Sequence, residues 1–249
     1  MRIENNQNVT IQLDEIKSNH LVIGTHAQVT LIGEVTQDRG IEIIIGEGSE
    51  LRSYIIQKNG SFDQKNSAHT DAKIYSYMFY FGQGNVTLQN ILEGDRSEAY
   101  DIEVFAIQDT AKLFIDTTLF HKGKNTKGNI LVKGTVKDTG LAKVNGMIKI
   151  GTDGSGANSF LTEHVMLLNS GARADTNPQL EIENNDVSSR HAASVTPIDE
   201  NKLFYMMARG IQREDARKLI ISGFLDAALQ TVENGHVRSA VSELIEKAI

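Results

Sequence analysis

The stretch LEIENNDVSSRHAASV, residues 180–195, places His191 behind a run of acids, amides and small hydroxyl residues. The chain has no cysteine, which removes thiolate nucleophiles, disulfides and all-cysteine metal sites. Imidazole nitrogen remains a ligand for borderline transition metals; a hydrogen-bonded packing role at the end of a β structure is the plainer reading. The other histidines, His20, His26, His69, His121, His164 and His236, form no H-x-H or H-E-x-x-H spacing. GTDGSGA, residues 151–157, lacks the Lys-Ser/Thr ending of a phosphate loop and opens no helix, so it reads as a turn. HKGKNTKGN, from His121, reads as a small solvated basic loop. A polysaccharide lyase or glycosidase needs paired carboxylates or a metal–carboxylate cluster. Dense D-x-D or D-D pairs are absent from the strand candidates, and aromatic residues are only 6%.

The elements around these residues change character near Pro197. Before it lie short apolar runs, among them HLVIG, VTLIGEV, IEIIIGE, LRSYIIQ, IYSYMFYF, VTLQNIL, IEVFAIQ, AKLFIDTTLF, NILVKGTV, KVNGMIKI, HVMLL and QLEIE. Turn segments such as GEGSE, GQGN, EGDRSE and KDTG separate them. Ile130, Val132 and Val136 share one face of a strand, as do Val144, Ile148 and Ile150. A strand–turn series this long without helical periodicity suggests a solenoid, with a sandwich or barrel as its competitors. After Pro197 three amphipathic helices are expected. The first has Asp199 as N-cap and stops at Gly210. The second has a stripe of Ala216, Leu219, Ile220, Phe224, Ala228 and Val232, and ends at Gly235. The third has Val237, Val241, Leu244, Ile245 and Ala248 on one face. Such stripes cover the last strands or each other, or they dock a partner.

The chain has 249 residues, 40% hydrophobic and 23% charged, with a formal net charge of -7. That suits a soluble globular protein and offers no basic excess for a nucleic-acid partner. No apolar run approaches a membrane span, and the polar N-terminus MRIENNQNVTIQLDEIK lacks the apolar core of a signal peptide. The expectation is a cytoplasmic protein with no nucleic-acid or membrane partner.

The segment from about His121 to Phe224 resembles the core of the SufB/SufD family, the scaffold of the SUF iron–sulfur cluster assembly system. ARADTNPQLEIENNDVSSRHAASVTPIDENKLFYMMARGI follows the family run A-x-x-x-T-x-P-x-L-E-I, D-V-x-x-x-H-x-A and I-D-E-x-x-L-F-Y-x-x-x-R-G-I, through Leu180, Glu181, Ile182, Asp186, Val187, His191 and Ile198 to Ile211. NILVKGTVKDTGLAKVNGMIKI and HVMLLNSGA look like the family's preceding coil and strand.

The resemblance implies a mainly β fold: a right-handed parallel β-helix, residues 1–197, followed by a small C-terminal helical domain, residues 198–249. Longer members carry an N-terminal helical region, so this chain looks like a reduced, SufD-like member. It implies a non-enzymatic scaffold that pairs with a second copy of itself or a SufB-like subunit through the β-helix. A SufC-like ABC ATPase would bind through the helices, at Phe204, Tyr205, Arg209, Gly210, Ile211 and Phe224. His191 matches a candidate iron or cluster ligand. Glu163 falls near the position of a SufB cysteine and is a weaker candidate, its plain alternative being a solvated strand residue. Ser189 stands where a cysteine is common, and Ala192 where SufB-like members have glutamate. An iron ion or iron–sulfur cluster would be held transiently, with none bound as isolated. The competing expectation is a structural or regulatory homologue that keeps the ATPase contact and binds no cluster.

Overall fold

Period-2 strands joined by tight turns bury one face each only by wrapping those faces around a shared interior. The computed structural model describes all 249 residues and shows that arrangement. The strands are β1 Arg2–Ile3, β2 Asn8–Gln12, β3 His20–Ile23, β4 Gln28–Val35, β5 Arg39–Ile45, β6 Glu50–Gln57, β7 Phe62–Ala68, β8 Lys73–Tyr80, β9 Gly84–Leu92, β10 Glu98–Ile107, β11 Lys112–His121, β12 Lys127–Val136, β13 Leu141–Ile150, β14 Asn158–Leu167, β15 Arg173–Thr176, β16 Gln179–Ile182 and β17 Ser188–Pro197. Helices α1 Glu200–Ala208, α2 Arg213–Leu229 and α3 Gly235–Ala248 follow.

Every strand pairing is parallel, and the chain alternates between two sheets. The first sheet runs β1-β3-β5-β7-β9-β11-β13, with β15 and β16 both on β13. The second runs β2-β4-β6-β8-β10-β12-β14-β17. Two strands, one per sheet, make a coil of a parallel β-helix, as the solenoid reading expected. The coil repeat lengthens along the chain, from 20 residues at Asn8↔Gln28 to 31 at Lys127↔Asn158. A drifting period explains why self-similarity is weak in the sequence.

The corners stack as regularly as the strands. At one of them His26, Gly48, Asp71, Arg96, Asn125 and Gly156 all take positive φ. Each backbone N–H there donates to a turn carbonyl of the next coil, as Asp71 does to Asp95 at 3.0 Å and Asn125 to Ser155 at 2.8 Å. Gly, Asn and Asp tolerate this left-handed geometry best.

Three strands do not read as strands by hydropathy. β7, FDQKNSA, carries Gln64 and Asn66 inward, and both are buried. β15 is RADT, and β17, SSRHAASVTP, is mostly exposed. A short 3-10 turn, Leu13–Glu15, also interrupts the strand series near its start.

The helices lie on the outer face of the second sheet rather than on the last strands alone. Ile221, Leu225, Ala228 and Leu229 of α2 and Val237, Val241 and Ile245 of α3 share one apolar cluster with Tyr54, Ile56, Tyr77, Phe79, Val104 and Met166 of the sheet. Each such aliphatic side chain contributes roughly 1.5–3 kcal/mol by leaving water. Polar ties fix the register: Lys133 Nζ donates to the Phe224 carbonyl at 3.0 Å, Tyr77 Oη to Thr231 at 3.2 Å and Arg217 to Leu168 at 2.8 Å.

Two helix expectations are corrected. Gly235 does not end the second helix; α2 stops at Leu229, and Gly235 begins α3 behind Asn234, whose Oδ1 accepts from the Val237 N–H at 3.1 Å. The buried stripe of α2 is Ala216, Ile221, Leu225, Ala228 and Leu229. Apolar residues surround much of this helix, and packing on the sheet selects the Ile221–Leu225 side, leaving Leu219 56% exposed. Asp199 caps α1 as expected, accepting from the N–H groups of Asn201 and Lys202, and Gly210 follows with φ +89°.

Candidate functional site

The inward ladders of the second sheet lead to the last coil. One runs Ser53, Ser76, Asp101, Ile130, Leu161, His191, and the next Ile55, Met78, Glu103, Val132, Glu163, Ala193. His191 thus stands on the inner face of β17, where no further coil covers it, and it is exposed. Ala193, Val195 and Ile182 are exposed beside it for the same reason. Ser189 faces the same way, and its Oγ has no hydrogen-bond partner.

Glu163 lies one coil deeper. The expectation of a solvated strand residue is overturned: its exposure is 0%. Neither carboxyl oxygen has a hydrogen-bond partner. Burial, with the Glu103 charge adding to it, pushes its pKa up to about 7. Gly146 faces it from the other sheet, where a Cβ would overlap Glu163 Oε1 and Leu161. The missing side chain therefore leaves room for the carboxyl. Alternation in SFLTEHVML, with Leu161, Glu163 and Val165 on one face, is the sequence signal that puts this acid inside.

Further in, the interior carries a polar seam. Gln64 Nε2 donates to Ser53 Oγ and Asn66 Oδ1, both at 3.2 Å, and Asn66 Nδ2 to Asn90 Oδ1 at 2.7 Å. Asn90 in turn donates to Asp101 Oδ1 at 2.5 Å. Glu103 accepts from Tyr80 Oη at 2.7 Å and Thr117 Oγ1 at 2.5 Å. Burial raises Asp101 to about 7 and raises Glu103 as well. His121 is not in a solvated loop; it ends β11 facing inward, 2.8 Å from Thr126 Oγ1, and burial lowers its pKa to about 4.

Glu163 and His191 share the lumen on adjacent coils, offset by two residues. No group of three or more His, Asp or Glu side chains converges anywhere in the chain. At the open end this chain offers the His191 imidazole and the Ser189 hydroxyl, with the buried Glu163 carboxyl one coil deeper, and these hard or borderline donors suit an iron ion better than a sulfide-rich cluster. Completing a coordination shell takes donors from outside the chain.

A second candidate surface lies on α1 and the start of α2. Phe204 is 74% and Tyr205 60% exposed, and Met207 and Leu219 are also exposed. Arg209 stacks its guanidinium 5.0 Å from the Tyr205 ring centroid, and Arg213 pairs with Glu200 at 3.3 Å. Gly210 provides the positive-φ exit, and Ile211 is half-buried. Phe224 sits apart from this surface, packed toward the sheet with Lys133 Nζ 4.7 Å from its ring centroid. No helix is long and apolar enough to cross a membrane.

A family model described as SUF system FeS cluster assembly, SufBD core domain, matches residues 3–224. The iron–sulfur cluster assembly protein SufD of Bacillus subtilis is 38% identical over 133 residues, 53% of this chain and 30% of the relative. A SufBD family protein of Synechocystis is 32% identical over 134 residues, 54% and 28% of the two chains. A chloroplastic SufBD family protein of Arabidopsis thaliana is 34% identical over 134 residues, 54% and 24%. The matched stretch spans less than a third of the length of each relative. With the β-helix, the inward His191 ladder and the match over residues 3–224 in place, the chain belongs to the SufBD core family of the SUF iron–sulfur cluster assembly system.

Proposed function

We propose that this protein is a non-enzymatic, cytoplasmic scaffold subunit for iron–sulfur cluster assembly. It docks a SufC-like ABC ATPase through α1 and the start of α2, and pairs through the open last coil with a second copy or a SufB-like subunit. The observation that carries the reading is the apolar surface of Phe204, Tyr205, Met207 and Leu219 beside the Arg209–Gly210 turn. The opposite faces of α2 and α3 are already packed on the sheet, so this surface is the helical face left for a partner. Phe204 and Tyr205 are the type of aromatic anchor that dominates interfaces.

At the other contact, β17 carries an unpaired edge, with Ile182 and Val195 exposed beside His191. A partner seated there covers the lumen and brings donors next to His191 and Glu163. Iron, or the nascent cluster, is the cargo of that junction, and its thiolates come from the partner. The two-donor set also favours a second reading, a homologue that keeps the ATPase contact and holds no cluster.

Co-purification with a SufC-like ATPase tests the docking surface. The double substitution Phe204→Ser and Tyr205→Ser is expected to abolish the complex while leaving the melting temperature unchanged. Retention of the complex would reject this surface. Anaerobic reconstitution with iron and sulfide, alone and with partners, separates the two readings. Iron lost on His191→Ala supports cargo binding, and no iron in any preparation supports the structural homologue.

A further inference from the structure

The outer face of the second sheet carries a ladder of flat side chains that none of the preceding roles uses. One outward register position runs Arg52, Tyr75, Tyr100, Asn129, Phe160, Arg190 across six adjacent strands. Its members stack face to face along the solenoid. Arg52 lies 4.4 Å from the Tyr75 centroid, Tyr75 and Tyr100 are 5.5 Å apart with planes 17° from parallel, and Arg190 lies 5.4 Å from the Phe160 centroid. One step is empty of a ring. Asn129 stands between Tyr100 and Phe160, and it is exposed.

That gap is a groove of about 270 Å³. Its walls are Tyr100 and Phe160, and the neighbouring outward ladder of Ile102, Leu131 and Thr162 closes one end. Parallel strands repeat every ~4.8 Å, so the two rings stand about 9.6 Å apart. Offset-stacked rings prefer centroid separations of roughly 4.5–7 Å. One planar ring placed midway meets both walls within that range, and two rings do not fit. The free face of Tyr100 is the one turned away from Tyr75, and that of Phe160 the one turned away from Arg190.

The polar groups around the slot indicate what the ring carries. The Asn129 amide at its base offers a donor and an acceptor, the pairing a heteroaromatic edge accepts. Lys127, two residues before Asn129 on β12, and Arg190 are exposed and enter no ion pair. Glu98 stands directly opposite Lys127 in the β10–β12 register and accepts from Tyr100 Oη at 2.9 Å. Lys133, farther along β12, is held by the Phe224 carbonyl. These two cations, Lys127 and Arg190, flank the slot without lining it, Arg190 on the far face of Phe160, and favour an anionic substituent that extends from the ring out of the slot.

We propose that the Tyr100–Asn129–Phe160 slot binds one planar heteroaromatic ring bearing an anionic group, of the purine nucleoside monophosphate class. The ring completes the ladder, Asn129 reads its edge, and Lys127 and Arg190 hold the anion.

The test uses the full chain with adenosine 5′-monophosphate, adenosine and ribose 5-phosphate, each titrated by saturation-transfer NMR. The monophosphate is expected to bind more tightly than either fragment. Replacing Lys127 and Arg190 by Gln together is expected to weaken it about tenfold or more. Asn129→Phe fills the empty step with a ring of the protein's own. It is expected to abolish binding and to raise the melting temperature by roughly 2–12 °C through the two new ring contacts. A lower melting temperature for Asn129→Phe would mean there is no ring-sized gap and overturns the proposal without any ligand. Absence of monophosphate binding at millimolar concentration, or binding that survives Asn129→Phe, also overturns it. Equal affinity for adenosine and its monophosphate overturns the anionic class.

Discussion

The two ends of the β-helix are built on the same coil and finished differently. At the first coil the inward residues Ile3 and Ile11 are buried, and the connection after β2 folds Leu13 and Ile16 into the core. Arg39 pins that connection, bonding Asp14 Oδ1 at 2.8 Å, the Leu13 carbonyl, and the Ile16 carbonyl at 3.0 Å. At the last coil the corresponding positions are open, with Ile182 43% and Val195 36% exposed next to His191. The lumen differs in the same sense. Leu21, Ile23, Leu31, Ile43 and Ile45 fill it near the start, whereas Asp101, Glu103 and Glu163 occupy it farther along. Nothing in the repeat demands this asymmetry. A solenoid buries its ends only if some segment is spent on the task, and here that segment serves one end.

The largest expected effect is at the closed end. Leu13→Ala removes a buried side chain seated over Gly33, where a Cβ would overlap it. A loss of about 2–5 kcal/mol is expected, read by chemical denaturation. A loss below 0.5 kcal/mol would mean that the closed end owes nothing to this residue.

The lumen acids come next. Glu163 has its folded pKa raised to about 7, above the unfolded carboxylate value near 4.3. The fold favours its neutral form, so that contribution is full below about pH 4 and is lost as pH climbs through 7. His121, lowered to about 4, acts oppositely: its contribution is present above about pH 6.5 and is lost as pH falls through 4. Glu163→Gln keeps the shape and removes the titration. It is expected to stabilise the protein at pH 8 by on the order of 1–2 kcal/mol, less than the bare shift because the Gln amide is itself a buried polar group. Equal melting temperatures of the two proteins across pH 5–8 would place the carboxyl in water.

The smallest effect on stability belongs to the open end itself. Val195→Asp is expected to change stability by less than about 0.5 kcal/mol and to abolish pairing in analytical ultracentrifugation with the candidate partner. Unchanged pairing would move the interface elsewhere.

Much of this organisation is legible before any coordinates. Alternation marks the apolar strands, and the change of period after Pro197 marks the helices. The D-V-x-x-x-H and F-Y-x-x-x-R-G-I runs carry the family. The strands outside the apolar pattern, β7, β15 and β17, share one cause: hydropathy assumes an apolar interior, and these face a polar lumen or the open last coil. The burial of Glu163 and His121 follows from alternation alone, yet a charged residue in a strand is by default assigned to solvent.

The amino-acid sequence by itself determined the strand–turn series, because alternating faces and turn residues at each corner mark it, while that pattern left a sandwich or barrel open and the family runs carried the solenoid. It determined the ends of α1 too, since Asp199 and Gly210 act on their own neighbours. Only the tertiary structure decided which side of α2 is covered, because apolar residues lie on more than one side and the sheet selects among them. It alone decided that one end of the lumen is plugged and the other open. It alone set Tyr100 and Phe160 on either side of Asn129, because register between coils depends on corner lengths that take the repeat from 20 to 32 residues.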